Sequence, residues 1–106
     1  MEFNRYQYLS QLVSGTVKQS DKMHVGILGM AEQVGRMSVM LREYWYNDVN
    51  MDYVKLVDEL GDMLWYVSEL CQGLNIGLET VALNNLAKLR RDHPRKYGKE
   101  GEVTDG

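Results

Sequence analysis

The sequence predicts an all-α fold: a bundle of four helices that assembles with further copies of itself. Three observations point there. Apolar residues recur every three or four positions through most of the chain, and period-two alternation is scarce. Only one proline interrupts 106 residues. Large aromatic side chains (Tyr8, Trp45, Tyr46, Trp65) flank the apolar stripes. They exceed what one short bundle can bury, and small bundles hide such surface by oligomerising. A homodimer or homotetramer is expected.

The first helix is expected over about residues 2–18, with Phe3, Tyr6, Leu9, Leu12, Val13 and Val17 as its stripe. The polar break Gln19-Ser20-Asp21-Lys22 follows, and Ser20 or Asp21 suits an N-cap. The second helix is expected over about residues 23–45. Its core stripe is Ile27, Met30, Ala31, Val34, Met37 and Leu41, while Gly26, Gly29, Gln33, Arg36 and Glu43 share a neighbouring face. Gly29 and Gly35 each cost roughly 1 kcal/mol against alanine inside a helix, so they point to a close approach by another helix or a ligand. Residues 46–50 form a connector, with Asn50 placed to cap the third helix, expected over about residues 51–72. Gly73 suits its C′ position. The fourth helix is expected over about residues 78–91, stopped by Pro94. Residues 1–94 thus read as one helical domain with one core. Residues 95–106, charged and glycine-rich, read as a mobile tail.

Composition excludes several classes. A net charge of −3 leaves no electrostatic footprint for duplex nucleic acid. No apolar run approaches ~18 residues, so no membrane span is expected. The single cysteine, Cys71, lies on an apolar face and reads as a buried structural thiol in a reducing compartment. With no basic segment and apolar run at the N-terminus, a cytoplasmic location is expected.

Two segments carry candidate chemistry. In Glu59-Leu60-Gly61-Asp62-Met63-Leu64-Trp65-Tyr66, two carboxylates three apart share one helix face, a pair that suits a hard divalent cation such as Mg²⁺. Gly61 between the acids, and Trp65 and Tyr66 one turn later, suggest a cleft wall. In Leu28-Gly29-Met30-Ala31-Glu32-Gln33-Val34-Gly35-Arg36, the same spacing offers Gln33 and Arg36 instead of acids. On the fourth helix Asn85, Lys88 and Arg91 share one face; the amide can fix a carboxylate or a ligand hydroxyl, and the two cations can hold phosphate oxygens.

Together these segments resemble the MazG-like, all-α nucleoside triphosphate pyrophosphohydrolases, over about residues 3–97. The resemblance rests on Phe3-Asn4-Arg5-Tyr6-Gln7, Leu28-Gly29-Met30-Ala31, the octapeptide from Glu59 to Tyr66, and Asn85-Leu86-Ala87-Lys88-Leu89 with Arg91 and Pro94. It implies a helical bundle that dimerises, often into tetramers. It implies a Glu-x-x-Glu on the second helix and a Glu-x-x-Asp on the third holding Mg²⁺, which binds the nucleotide's phosphates while water releases pyrophosphate. Glu59 and Asp62 match the second motif; Asn85 and Lys88 match the fourth-helix element. The first motif is broken, because its two acids fall at Gln33 and Arg36. Glu32 lies one residue away, a rotation of about 100°.

Four carboxylates would carry about four negative charges and need cations to coexist, whereas two acids, an amide and a guanidinium leave about one. Mg²⁺ is therefore expected to bind weakly or not at all at Glu59 and Asp62, and no cofactor is expected. Arg36 is expected either to pair with Glu59 or Asp62 or to donate to a phosphate. The leading reading is a catalytically impaired member that binds a nucleotide or nucleotide-derived signal, with no catalytic residue. Gln33, Arg36, Glu59, Asp62, Tyr66, Asn85, Lys88 and Arg91 would line its site. Sequestration of a signal, as in viral counter-defence, would suit it. One alternative is an active pyrophosphohydrolase that uses Mg²⁺ at an altered metal site. Another is a helical protein-interaction module.

Overall fold

A computed structural model describes residues 1–13 and 17–97. Its elements are α1 (Phe3–Gln11), a 3-10 turn (Gln19–Asp21), α2 (Lys22–Tyr46), α3 (Tyr53–Gly73) and α4 (Leu78–Asp92). The described residues contain no β-strand, and no helix among them is long and apolar enough to cross a membrane. The all-α expectation is met.

The long helices α2 and α3 form an antiparallel hairpin, which is by far the most extensive packing in the chain. Its register is set by small residues. A Cβ at Gly26 would sit 2.8 Å from the backbone nitrogen of Leu70, and one at Gly29 would collide with the Tyr66 ring. A Cβ at Gly73 would sit 2.8 Å from the Met23 nitrogen. Gly73 is therefore a packing residue. It closes α3 instead of following it, and Asn75, with φ of 57°, takes the left-handed position beyond the helix.

Helices α1 and α4 meet at the turn that ends α3. The α4 N-cap is Gly77, which has no side chain to satisfy the first N–H groups. Gln7 does this from α1: the Leu78 N–H donates to Gln7 Oε1 (2.9 Å), and Gln7 Nε2 donates to the Ile76 carbonyl (3.0 Å). The Glu79 N–H donates to Asn4 Oδ1 (3.2 Å). Helix α4 touches α1 and α3 and makes no contact with α2 among the described residues.

Several sequence expectations change. The first helix is shorter, ending at Gln11; residues 14–16, inside the expected span, lie outside the described residues. Asp52, not Asn50, caps α3, accepting from the Lys55 N–H at 3.0 Å. Asp21 precedes α2 but makes no side-chain cap bond. Residues 94–97 form a further helical turn, in which the Tyr97 ring lies 5.8 Å from the Arg90 guanidinium; residues 98–106 lie outside the described residues.

The largest change concerns which faces are buried. On α2 the apolar stripe is largely exposed (Ile27, Val34 and Leu41 among it), while Gly26, Gly29 and Gln33 are buried. On α1, Phe3 and Leu9 are exposed and Gln7 is buried, and Leu12 and Val13 just beyond it are exposed as well. Helices pack within the chain on their small and polar faces, because only there can two backbones come close. The apolar stripes point outward. Cys71 and Leu78 are the hydrophobic side chains fully buried among the described residues. Burial raises the pKa of the Cys71 thiol above its ordinary value, as expected of a structural cysteine.

Candidate ligand-binding site

The antiparallel register of α2 and α3 sets Gln33 opposite Glu59. Both are buried, and Gln33 Nε2 donates to Glu59 Oε2. An acid at 33 would have put two carboxylates in contact away from water. The amide instead gives the carboxylate a donor, so no cation is needed there.

Arg36 lies one turn further along α2. It does not pair with Glu59 or Asp62, as the sequence had suggested. Its Nη2 bonds Glu32 Oε1 at 2.6 Å on the exposed face. The spacing explains this: Glu32 and Arg36 are four apart and thus neighbours on the helix surface. The Glu32 hydrogen bond, then its charge, raises the Arg36 pKa above its ordinary value, with Glu59 adding a smaller attraction. Arg36 and Glu59 nevertheless border one open cleft of about 300 Å³, together with Val39, Met40 and Lys55.

Asp62 is exposed. It faces toward α1, where burial first and the Asp62 charge second raise the pKa of the Tyr6 hydroxyl. Tyr66 lies over Gly29 and meets Trp65 edge to face, with ring centroids 5.4 Å apart. Trp65 is held from α1, its Nε1 donating to the Ser10 carbonyl at 3.1 Å. Gly35, read as a mark of close approach, meets nothing within 4 Å, and neither does Gly61, read as part of a cleft wall.

The fourth-helix residues stand apart. Asn85, Lys88 and Arg91 are exposed, and α4 does not reach α2 within one chain. Arg91 lies 4.0 Å from Asp92, an exposed pair. The structure thus joins Gln33 and Glu59 directly and Arg36 to them through the cleft. It leaves Asn85, Lys88 and Arg91 on another part of the surface.

Sequence reasoning missed two residues here. Lys55 precedes Glu59 by four positions on α3 and so shares its face, a spacing visible in the sequence. Glu69 is fully buried, and neither carboxylate oxygen has a hydrogen-bond partner. It continues the Glu59, Asp62, Tyr66 face at helical spacing, but its burial could not be read from that spacing.

The model of the MazG nucleotide pyrophosphohydrolase domain matches residues 30–97, more than half of the chain. The chain therefore belongs to the MazG nucleotide pyrophosphohydrolase domain family. No curated protein and no solved structure matches it. The match spans Gln33, Arg36, Glu59 and Asp62.

A divalent metal at this site does not fit the residues present in one chain. Among the described residues no three His, Cys, Asp or Glu side chains converge on a point. One Glu59 oxygen is already bonded by Gln33, and a guanidinium stands at the cleft. Hard divalent ions take six or more oxygen ligands, several of them anionic or water.

Proposed function

We propose that this MazG-family chain binds a nucleotide or a nucleotide-derived signal without hydrolysing it, and does so as a homo-oligomer. The observation that carries the reading is the hydrogen bond from Gln33 Nε2 to Glu59 Oε2. It turns a pair of positions suited to metal ligation into a neutral-plus-anion contact that is self-sufficient. Arg36 beside it supplies a fork for phosphate oxygens, since Glu32 uses only one of its donor arms. Tyr66 stiffens the wall of the hairpin. Asn85, Lys88 and Arg91 join this site only from a second copy, because α4 of the same chain does not touch α2. A binder without turnover holds its ligand out of circulation, a role suited to viral counter-defence against a signalling nucleotide.

The oligomer reading is supported by the outward apolar stripes. Leu41, Trp45 and Tyr46 are 55%, 71% and 77% exposed. With Ser38 and Arg42 they line an open, mainly apolar cleft of about 500 Å³. Contiguous apolar surface of this extent marks an interface. Light scattering at micromolar concentration is expected to give at least a dimer, and Trp45→Asp to dissociate it; a wild-type monomer refutes the oligomer.

The binding reading is tested by heating purified protein and identifying the released small molecules by mass spectrometry. A panel of linear and cyclic nucleotides then tests thermal stabilisation with and without Mg²⁺. Stabilisation in metal-free buffer with no pyrophosphate released is the expected result. The family match favours a second reading, an active pyrophosphohydrolase whose missing acids come from a partner copy. Mg²⁺-dependent pyrophosphate release, abolished by Asp62→Asn, would establish that reading instead.

A further inference from the structure

The cleft beside Arg36 does not end there. A second open cleft of about 260 Å³ adjoins it and shares Val39, Met40 and Lys55. It continues to the α2–α3 connection, where Val49 and Met51 form the opposite apolar wall. Together they make one groove that changes character along its length. At one end stand Arg36 and Glu59, whose carboxylate already accepts from Gln33, and Lys55 from the other helix stands where the two clefts meet. Among the described residues, Lys55 Nζ has no carboxylate or hydrogen-bond partner, an uncommitted cation at the edge of a cleft. Lys55 also lies in the first turn of α3, where the helix dipole adds positive potential. At the other end are Glu43, Asn50 and Asp52, which present mainly hydrogen-bond acceptors. Glu43 Oε2 accepts from Asn47, and Asp52 Oδ1 from the Lys55 N–H, so each carboxylate keeps an oxygen for a further donor.

This polarity defines a ligand with an anionic end, a flat apolar middle and hydrogen-bond donors at its far end. We infer that the groove binds a nucleoside phosphate whose base carries an exocyclic amino group, with Lys55 and Arg36 clamping the phosphate. The base lies between Val39 and Met40 on one side and Val49 and Met51 on the other. Its amino group donates to Glu43. A base presenting only carbonyl oxygens at that edge meets the Glu43 carboxylate and is rejected, because two acceptors face each other without a proton between them. The inference rests on the nucleotide-binding reading and deepens it. It adds Lys55 to Arg36 as a phosphate-binding cation supplied by the same chain.

The test is titration calorimetry on the full chain in metal-free buffer, with cytidine diphosphate, uridine diphosphate and pyrophosphate as probes. Cytidine diphosphate should bind at least tenfold tighter than uridine diphosphate. Lys55→Ala should weaken both nucleotides and pyrophosphate by ten- to a hundredfold, and Lys55→Arg should restore most of the loss. Glu43→Ala should bring the two nucleotides within threefold of each other. Lys55 is exposed, so an unchanged melting temperature checks that the variants fold. If wild type binds nucleotide but Lys55→Ala keeps its affinity, the groove assignment is overturned and the binding reading survives. Equal affinity for both nucleotides overturns the base preference. If no probe or other nucleotide binds wild type, with or without Mg²⁺, both fall together.

Discussion

The two halves of the α2–α3 hairpin are built on opposite plans. In the half near the 3-10 turn, Gly26, Gly29 and Gly73 let the helices close until backbone meets side chain and backbone. Toward the α2–α3 connection, residues of both helices line open clefts of about 300 and 260 Å³. Gly35 and Gly61 are exposed, line neither cleft and meet nothing within 4 Å. The Gln33–Glu59 contact falls where one plan gives way to the other. The difference teaches that close packing is concentrated in one half, which leaves the surface of the other free to take up something else.

The sharpest way to break that division is to wedge the closed half. At Gly26 a new side chain would meet the Leu70 nitrogen at 2.8 Å and the Tyr66 carbonyl oxygen at 2.9 Å. Backbone cannot rotate aside as a side chain can. Gly26→Val should cost about 3 kcal/mol or more, at the upper end of overpacking effects. Thermal and urea denaturation measure it; a loss below about 1 kcal/mol means the helices are not closed there.

The closed half also carries a defect. Glu69 is completely buried on α3 with both oxygens unpartnered. It lies between Tyr66 and Gly73 on the α3 face, both of which pack on α2. Replacing it by Glu69→Met removes an uncompensated polar group and keeps the volume. The variant should be more stable by about 1–3 kcal/mol. A destabilised variant would show that Glu69 finds a partner in the assembled protein.

At the boundary, Gln33→Glu should convert a satisfied contact into two buried carboxylates. The expected cost is about 1–3 kcal/mol at neutral pH. Its pH dependence has a definite sign. The pair holds a proton more tightly folded than unfolded, so the folded state binds more protons and stability falls as pH rises. Measured against wild type, the variant should therefore recover toward low pH. With Arg36→Glu added, acids stand at all four positions of the two spacings, and Mg²⁺ should stabilise the protein if Asp62 can turn toward the other three. A double variant indifferent to Mg²⁺ would show that geometry as well as residue type has been lost.

Much of the fold could be read from sequence, and the reason is local. The spans of α2, α3 and α4 followed the 3.6-residue period and lie within a few residues of their expected ends. What failed was the direction of burial. The stripe Ile27, Val34, Leu41 was assigned to the core because apolar residues usually go there, yet the glycine and Gln33 face is buried instead. Periodicity states that two faces differ, not which one meets the rest of the same chain. Of the site, Gln33, Arg36 and Glu59 were legible as a spacing shared by two helices. Arg36's choice of Glu32 was decided by surface proximity along its own helix. The role of Lys55 depended on which residues of two helices and their connection line one groove, which no single-helix pattern encodes.

The smallest effect gives the cleanest contrast with Gly26. Gly35 lies mid-helix on α2, two turns further toward the open half, and a Cβ there would meet nothing within 4 Å. With no steric cost, only backbone entropy and helix propensity remain, and both favour alanine. Gly35→Ala should raise stability by about 0.5–1 kcal/mol, a shift of several degrees in melting temperature for a domain of this size. The same class of substitution then has opposite signs nine residues apart on one helix. If Gly35→Ala is instead destabilising, something absent from the single chain fills that space. A second copy is the first candidate, because Val34 beside it is 52% exposed and belongs to the outward apolar stripe. Repeating the measurement over a range of protein concentrations separates the two causes. A penalty that grows with concentration places Gly35 in the interface between copies, whereas a gain independent of concentration places it at an open surface.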